Sequence, residues 1–180
     1  MSQDINENSS ELSMNGYRED VIRAFVGKNA DYYINKWKSA KEPAKRAGWN
    51  WAGFFVGLFW MGYRRMYKIL FMILGLFILI DIIQLFVSFD LSRGVSIGIS
   101  AVAGGSGNSL YYNHMNQKIK SLSPNSSSDD ELKELAKTAG GATWKGVGIT
   151  LLLFIAYIIV TSILGTIFEM LFLDSPQGFV

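Results

Sequence analysis

The sequence predicts an all-α membrane protein: three transmembrane helices, an interfacial or re-entrant aromatic helix, and short cytoplasmic helices. Three observations carry this prediction. Residues 69–89, ILFMILGLFILIDIIQLFVSF, hold one ionisable group, Asp81. At a helical rise of about 1.5 Å per residue they reach about 31 Å, close to the thickness of a bilayer's hydrocarbon core. Residues 146–173 are as apolar and carry only Glu169. The basic residues, finally, are distributed so that they select one topology.

Composition narrows the class further. The chain has 180 residues, 49% of them hydrophobic, which suits a small membrane protein with soluble appendages. It has no cysteine, which excludes disulfides, thiolate zinc sites and cysteine nucleophiles. One histidine, His114, excludes a histidine-rich metal site within one chain. A net charge of +2 is too small to point to nucleic acid. Nothing implies a cofactor or a metal. The N-terminus lacks the basic and apolar regions of a secretory signal, so insertion is expected to rely on the internal apolar segments.

Residues 1–16, rich in Ser, Asn and Glu, read as a disordered tail. Residues 17–48 read as a cytoplasmic amphipathic helical segment, with Ala30, Tyr33, Ile34 and Trp37 at i, i+3, i+4 and i+7. That face packs either on a neighbouring helix or on the membrane surface. Lys36, Lys38, Lys41, Lys45 and Arg46 follow, opposed only by Glu42. Beside a bilayer such a cluster attracts anionic lipids at about 1 kcal/mol per charge, or serves only to set topology.

Residues 49–67 form the aromatic interfacial helix. Their apolar part is too short to span, and tryptophan suits a site where the ring is buried and the indole N–H stays wet. Arg64, Arg65 and Lys68 mark entry to the first span, 69–89. A turn at Asp90, Ser92, Arg93 and Gly94 leads into a weaker apolar stretch, 95–112. Residues 113–145 read as a cytoplasmic loop with a short helix, in which Ser128 and Glu131 make a capping box. The third span covers 147–170, followed by an external tail, 171–180.

Charge decides whether 95–112 crosses. If all three segments span, sixteen of the seventeen basic residues face one side, and Arg93 alone faces the other. The positive-inside rule then places the N-terminus in the cytoplasm and the C-terminus outside.

Each span carries a polar or small stripe: Asp81, Gln84 and Ser88 on the first; Ser96, Ser100, Gly104 and Asn108 on the second; Tyr157, Thr161, Gly165 and Glu169 on the third. Small residues at this spacing let helices approach closely in lipid, so Ser96, Ser100, Gly104 and Gly165 are expected at helix-packing surfaces. Asp81 is the most informative single residue, because a carboxylate within a span costs several kcal/mol unless protonated, paired or hydrated. It serves as a proton or cation site, as a pairing point for a partner, or as a protonated packing group bonded to Gln84 or a small neighbour. Glu169 lies near the outer end, where it can snorkel. The glycine-rich run 140–146 lacks the phosphate-loop spacing and reads as a hinge into the last span.

The order Asn50, Trp51, Ala52, Phe54, Phe55, then Trp60, then Tyr63, Arg64, Met66 and Tyr67, resembles the N-W-A-A-F-F…W…Y-R-K-M-Y signature of a bacterial membrane family catalogued as a domain of unknown function. Residues 25–33, Trp37, Asn108, residues 110–112, His114 and residues 140–141 extend the resemblance over roughly 21–146. The chain departs from the pattern at Gly57 and Leu58, where a proline is expected. The resemblance implies a protein of the bacterial cytoplasmic membrane and brings no catalytic residue.

These features are best read as a non-enzymatic scaffold, sensor or regulator acting through helix–helix and membrane-surface contacts, as a homo-oligomer or with a membrane-protein partner. The alternative is a small transporter or channel subunit using Asp81 and Gln84 as an intramembrane polar site. A membrane enzyme would need carboxylates to converge on His114, and no hydrolase, kinase or metalloprotease spacing occurs.

Overall fold

The structure is a computed structural model that describes residues 14–87 and 92–173. Among the described residues it contains seven α-helices and no β-strand. They are α1 (Glu19–Val26), α2 (Ala30–Ser39), α3 (Trp51–Tyr63), α4 (Tyr67–Gln84), α5 (Ser92–Leu122), α6 (Asp129–Ala139) and α7 (Trp144–Phe168), the last continuing through a π-helical turn, Glu169–Leu173. Most of the tail 1–16, Ser88, Asp90 and residues 174–180 lie outside the described residues.

Among the described residues two helices, not three, are long and apolar enough to cross a membrane: α4, and α7 with its extension as far as Phe172. The segment 95–112 falls short because Gly, Ser and Asn dilute its hydropathy. It is the first part of a single 31-residue helix, α5, about 46 Å long. Ser92 to Gly94, expected in a turn, already belong to that helix.

The segment 17–48 folds as two helices. Glu19 and Asp20 open α1 and Arg23 closes it, each charge matched to the helix dipole. Tyr33, Ile34 and Trp37 of α2 are buried, so the amphipathic face packs against helices. Its partner is the second half of α5, which buries Tyr111, Tyr112, Met115 and Ile119. Leu132 and Ala136 of α6 close the same core. The expected cap starts α6: Glu131 N–H donates to Ser128 Oγ at 3.2 Å, while the Glu131 carboxylate reaches one residue further back and accepts from Ser127 N–H at 2.7 Å.

Helix α3 lies across the bundle. Asn50, its N-cap, donates from its backbone to Gly104 O at 2.7 Å, while Trp60 near its other end packs 6.2 Å from Tyr111. Both ends therefore sit within two turns of α5, although 13 helical residues would reach about 20 Å along an axis. The helix bends at Val56 (φ −129°, ψ 30°), without the proline expected nearby. Close approach needs small residues here: a Cβ on Gly53 would lie 2.5 Å from Ala103 O, and one on Gly104 would lie 2.6 Å from the Trp49 ring.

Helices α4 and α7 start side by side, where Thr143 N–H donates to Tyr63 O at 2.9 Å. They run parallel and in register, since Asp81 and Tyr157, each about four turns along its helix, meet in a hydrogen bond. Only 11% and 6% of their most apolar windows are buried, so both present bare hydrocarbon outward. Gly165 has no atom of the described residues within 4 Å of a built Cβ.

Candidate functional site

The polar residues inside the fold gather at one level, where α3 meets the helical core. Helix α3 ends in a Schellman motif. Arg65 takes the left-handed conformation (φ 57°), its N–H donates to Gly62 O at 3.0 Å, and Met66 N–H donates to Met61 O at 2.8 Å. That conformation is costly for a residue with a Cβ. A bond from Arg65 Nη1 to Thr138 O at 2.7 Å helps to hold it. The motif turns the preceding residue, Arg64, back into the core.

Arg64, three residues before α4, is 2% exposed and so is buried rather than standing free at the entry to that helix. Its guanidinium donates from Nη1 to Val26 O and from Nη2 to Lys28 O, both at 2.9 Å. Val26 is the last residue of α1, so the cation meets the negative end of that helix. The charge lies over the rings of Tyr33 (4.6 Å), Tyr111 (5.1 Å) and Tyr63 (5.7 Å). No carboxylate pairs with it among the described residues; carbonyl oxygens and aromatic faces do the neutralising. Arg64 Nε and the Tyr111 hydroxyl are buried without a hydrogen-bond partner.

Asn108 organises the other half of this hub. It is fully buried, and its Nδ2 lies 3.2–3.3 Å from the carbonyls of Ala47, Gly48 and Trp49. Its Oδ1 accepts from Asn50 Nδ2 at 3.1 Å, and its backbone carbonyl accepts from Trp37 Nε1 at 2.9 Å. Asn50 Oδ1 in turn caps α3 through Gly53 N–H at 2.8 Å. One asparagine thus fixes the loop 47–49 and the entry to α3. His114 packs between Phe25 and Tyr111, at ring distances of 6.1 and 6.4 Å. Burial, aided by nearby Lys118, pushes its pKa down to about 4, so it is neutral at physiological pH.

The signature residues divide between two surfaces. Asn50, Trp60, Arg64 and Met66 are buried in the hub. Trp51 (63% exposed), Phe55 (72%) and Ala52 point outward, and Phe54, Tyr63 and Tyr67 are intermediate. Of the small-residue stripe, Gly104 meets Trp49 and Phe54, Ser100 is half-buried, and Ser96 is exposed.

A second polar contact lies far from the hub. Tyr157 on α7 donates to Asp81 Oδ2 at 2.5 Å, with Gln84 less than one turn further along α4. The partner of Asp81 is therefore a tyrosine on a neighbouring helix, a pairing that spacing within one helix could not reveal. Glu169 is exposed at the far end of α7. Of the basic cluster, Lys38 pairs with Glu19, and Lys45 pairs with Glu42 at 2.8 Å. Lys36 lies over the Tyr32 ring at 6.0 Å.

Neither the curated proteins nor the solved structures contain a match to this chain. A family model described as "Protein of unknown function (DUF2628)" matches residues 14–117. Those residues include Asp81 and the hub from Val26 to Asn108 and His114, whereas Tyr157 lies beyond them. The match covers more than half of the chain, which therefore belongs to the DUF2628 family.

Proposed function

We propose that this chain is a multi-pass protein of the bacterial cytoplasmic membrane that acts as a non-enzymatic scaffold, sensor or regulator. The observation that carries this reading is the direct attachment of two bare apolar helices to a helical core whose most buried polar side chains are engaged mainly in structural bonds. Arg64, Asn108 and Asn50 bind backbone or one another and hold the core to α3, α4 and α5. The chain's outer surfaces then do the work, through lipid and through a membrane-protein partner or a second copy. Crosslinking in native membranes, followed by identification of the attached protein, tests this; repeated failure to capture any protein, a second copy included, would argue against it.

Three crossings follow on the same reading. Met66, at the head of α4, and Tyr111, well along α5, belong to one core cluster. If α4 crosses, α5 must return to the same side, and α7 leaves it again. The bent α3, with both ends within two turns of α5, fits an interfacial or re-entrant helix. A reporter active only in the cytoplasm is expected to be active when fused after Lys120 and silent when fused after Val180. Activity at both positions would refute the topology.

The Asp81–Tyr157 contact favours a second reading, in which α4 and α7 form a polar path for a proton or cation. Side-chain hydrogen bonds within a bilayer average about 0.6 kcal/mol, so Tyr157→Phe and Asp81→Asn are each expected to leave membrane abundance near the parent level. Loss of a cellular phenotype in Asp81→Asn at normal abundance would move the assignment to transport.

A further inference from the structure

We infer that the cavity beneath the bend of α3 holds one acyl chain of an anionic phospholipid from the cytoplasmic leaflet, with its phosphate at the basic loop that precedes α3. The inference rests on the reading that α4 and α7 cross the bilayer.

The cavity has a volume of about 220 Å³, is lined by α3, α4, α5 and α7, and is open on one side. Phe54, Leu58, Phe77, Ile99 and Phe154 give it apolar walls. The polar side chains among its walls are three hydroxyls, and that of Thr150 is spent on Gly146 O at 2.9 Å. A cavity walled mainly by hydrocarbon favours an apolar occupant over ordered water.

Depth identifies the occupant. Ile73 and Phe77 lie about 9 and 15 Å along α4 from its first residue, and Thr150 and Phe154 lie at the same depths along α7. The hub marks the cytoplasmic end of these helices, so the cavity lies at the level of the inner-leaflet acyl chains. Non-helical Val56 bends α3 over it as a roof.

Charge identifies the headgroup. With Lys38 and Lys45 paired to Glu19 and Glu42, the cluster leaves Lys36, Lys41 and Arg46 without a carboxylate partner among the described residues. Arg46 is four residues from Asn50, and Phe54, four residues further on, lines the cavity. Lys36 reaches the same loop, its Nζ 3.4 Å from a Cβ built on Gly48. Cations and cavity thus lie at the two ends of one short segment, in the order of a phospholipid's phosphate and tail.

The full chain is reconstituted in discs of equal parts phosphatidylglycerol and phosphatidylcholine with matched chains, released in mild detergent, and weighed intact. Prior resistance to alkaline carbonate extraction tests the membrane reading separately: a chain removed by carbonate refutes that reading, whereas an embedded chain without lipid refutes this inference. One retained phosphatidylglycerol is expected, preferred over phosphatidylcholine by about fivefold or more. Ser100→Phe, which fills the cavity, should abolish retention, while Ile159→Phe on the exposed face of α7 should not. Joint replacement of Lys36, Lys41 and Arg46 by Gln should remove the preference but leave a bound lipid. Should Ser100→Phe fail to assemble, Ser96→Phe on the exposed side of the cavity takes its place. Equal retention in parent and filled variants, equal retention of both lipids by the parent, a folded parent with no lipid, or a dimer lost on filling would each overturn the inference.

Discussion

Arg64→Leu is expected to destabilise the helical core by about 3 kcal/mol, read as a fall of about 6–12 °C in the melting of Trp fluorescence. Leucine fills much of the volume and removes a buried charge, and such exchanges are often neutral. Here they are not, because the acceptors stay behind. Val26 O and Lys28 O each lose their 2.9 Å bond from the guanidinium; the part-buried Lys28 O can turn to water, but the buried Val26 O left unmet costs about 1–3 kcal/mol. The stack on Tyr33 and Tyr111 contributes about 1 kcal/mol more. Arg64→Lys keeps the charge but not the planar fork that serves two carbonyls while lying on two rings, so it should recover only part of the loss. A melting point for Arg64→Leu within about 2 °C of the parent would show that the hub does not hold the core together.

Legibility in the sequence followed the range of the interaction concerned. The face of α2 is readable because it is set by helical period, and the Ser128–Glu131 cap because its partners are three residues apart. The two most apolar helices were readable from length alone. The role of Arg64 was hidden. An arginine next to an aromatic segment and ahead of an apolar run has the local signature of an interfacial anchor, and its acceptors lie 36 and 38 residues upstream. The left-handed Arg65 gave no warning either, since glycine would be the usual residue there. Asn108 was legible as one member of a small-residue stripe, but its bonds reach the loop 47–49 and Asn50, about 60 residues away. Asp81 stands out in the sequence as a carboxylate within an apolar helix, whereas its partner depends on α4 and α7 running in register.

Gly146→Val is expected to pull α7 away from α3, because no side chain can yield to the added carbons. A Cβ on Gly146 would overlap Gly62 O and lie 2.8 Å from Gly62 C, both backbone atoms of α3. From the other side, a Cβ on Gly62 would overlap Thr150 Oγ1 and lie 2.7 Å from Gly146 O. Relief requires separating two helix axes, not rotating a rotamer, so the cost should reach the upper part of the overpacking range, about 3 kcal/mol. Gly148 on the same helix has nothing within 4 Å, so Gly148→Val carries the same loss of glycine without the collision. The parent chain contains no cysteine, which makes the consequence readable without background. With cysteines at positions 81 and 157, a short bifunctional thiol reagent should join α4 to α7 in the otherwise unchanged chain and in Gly148→Val. In Gly146→Val the yield should fall severalfold, because the contact that sets the starting level of α7 against α3 and α4 is gone. Equal yields in the two glycine variants would mean that the Gly62–Gly146 contact does not fix that register, and that the Asp81–Tyr157 pair is held by the bare lengths of the helices themselves.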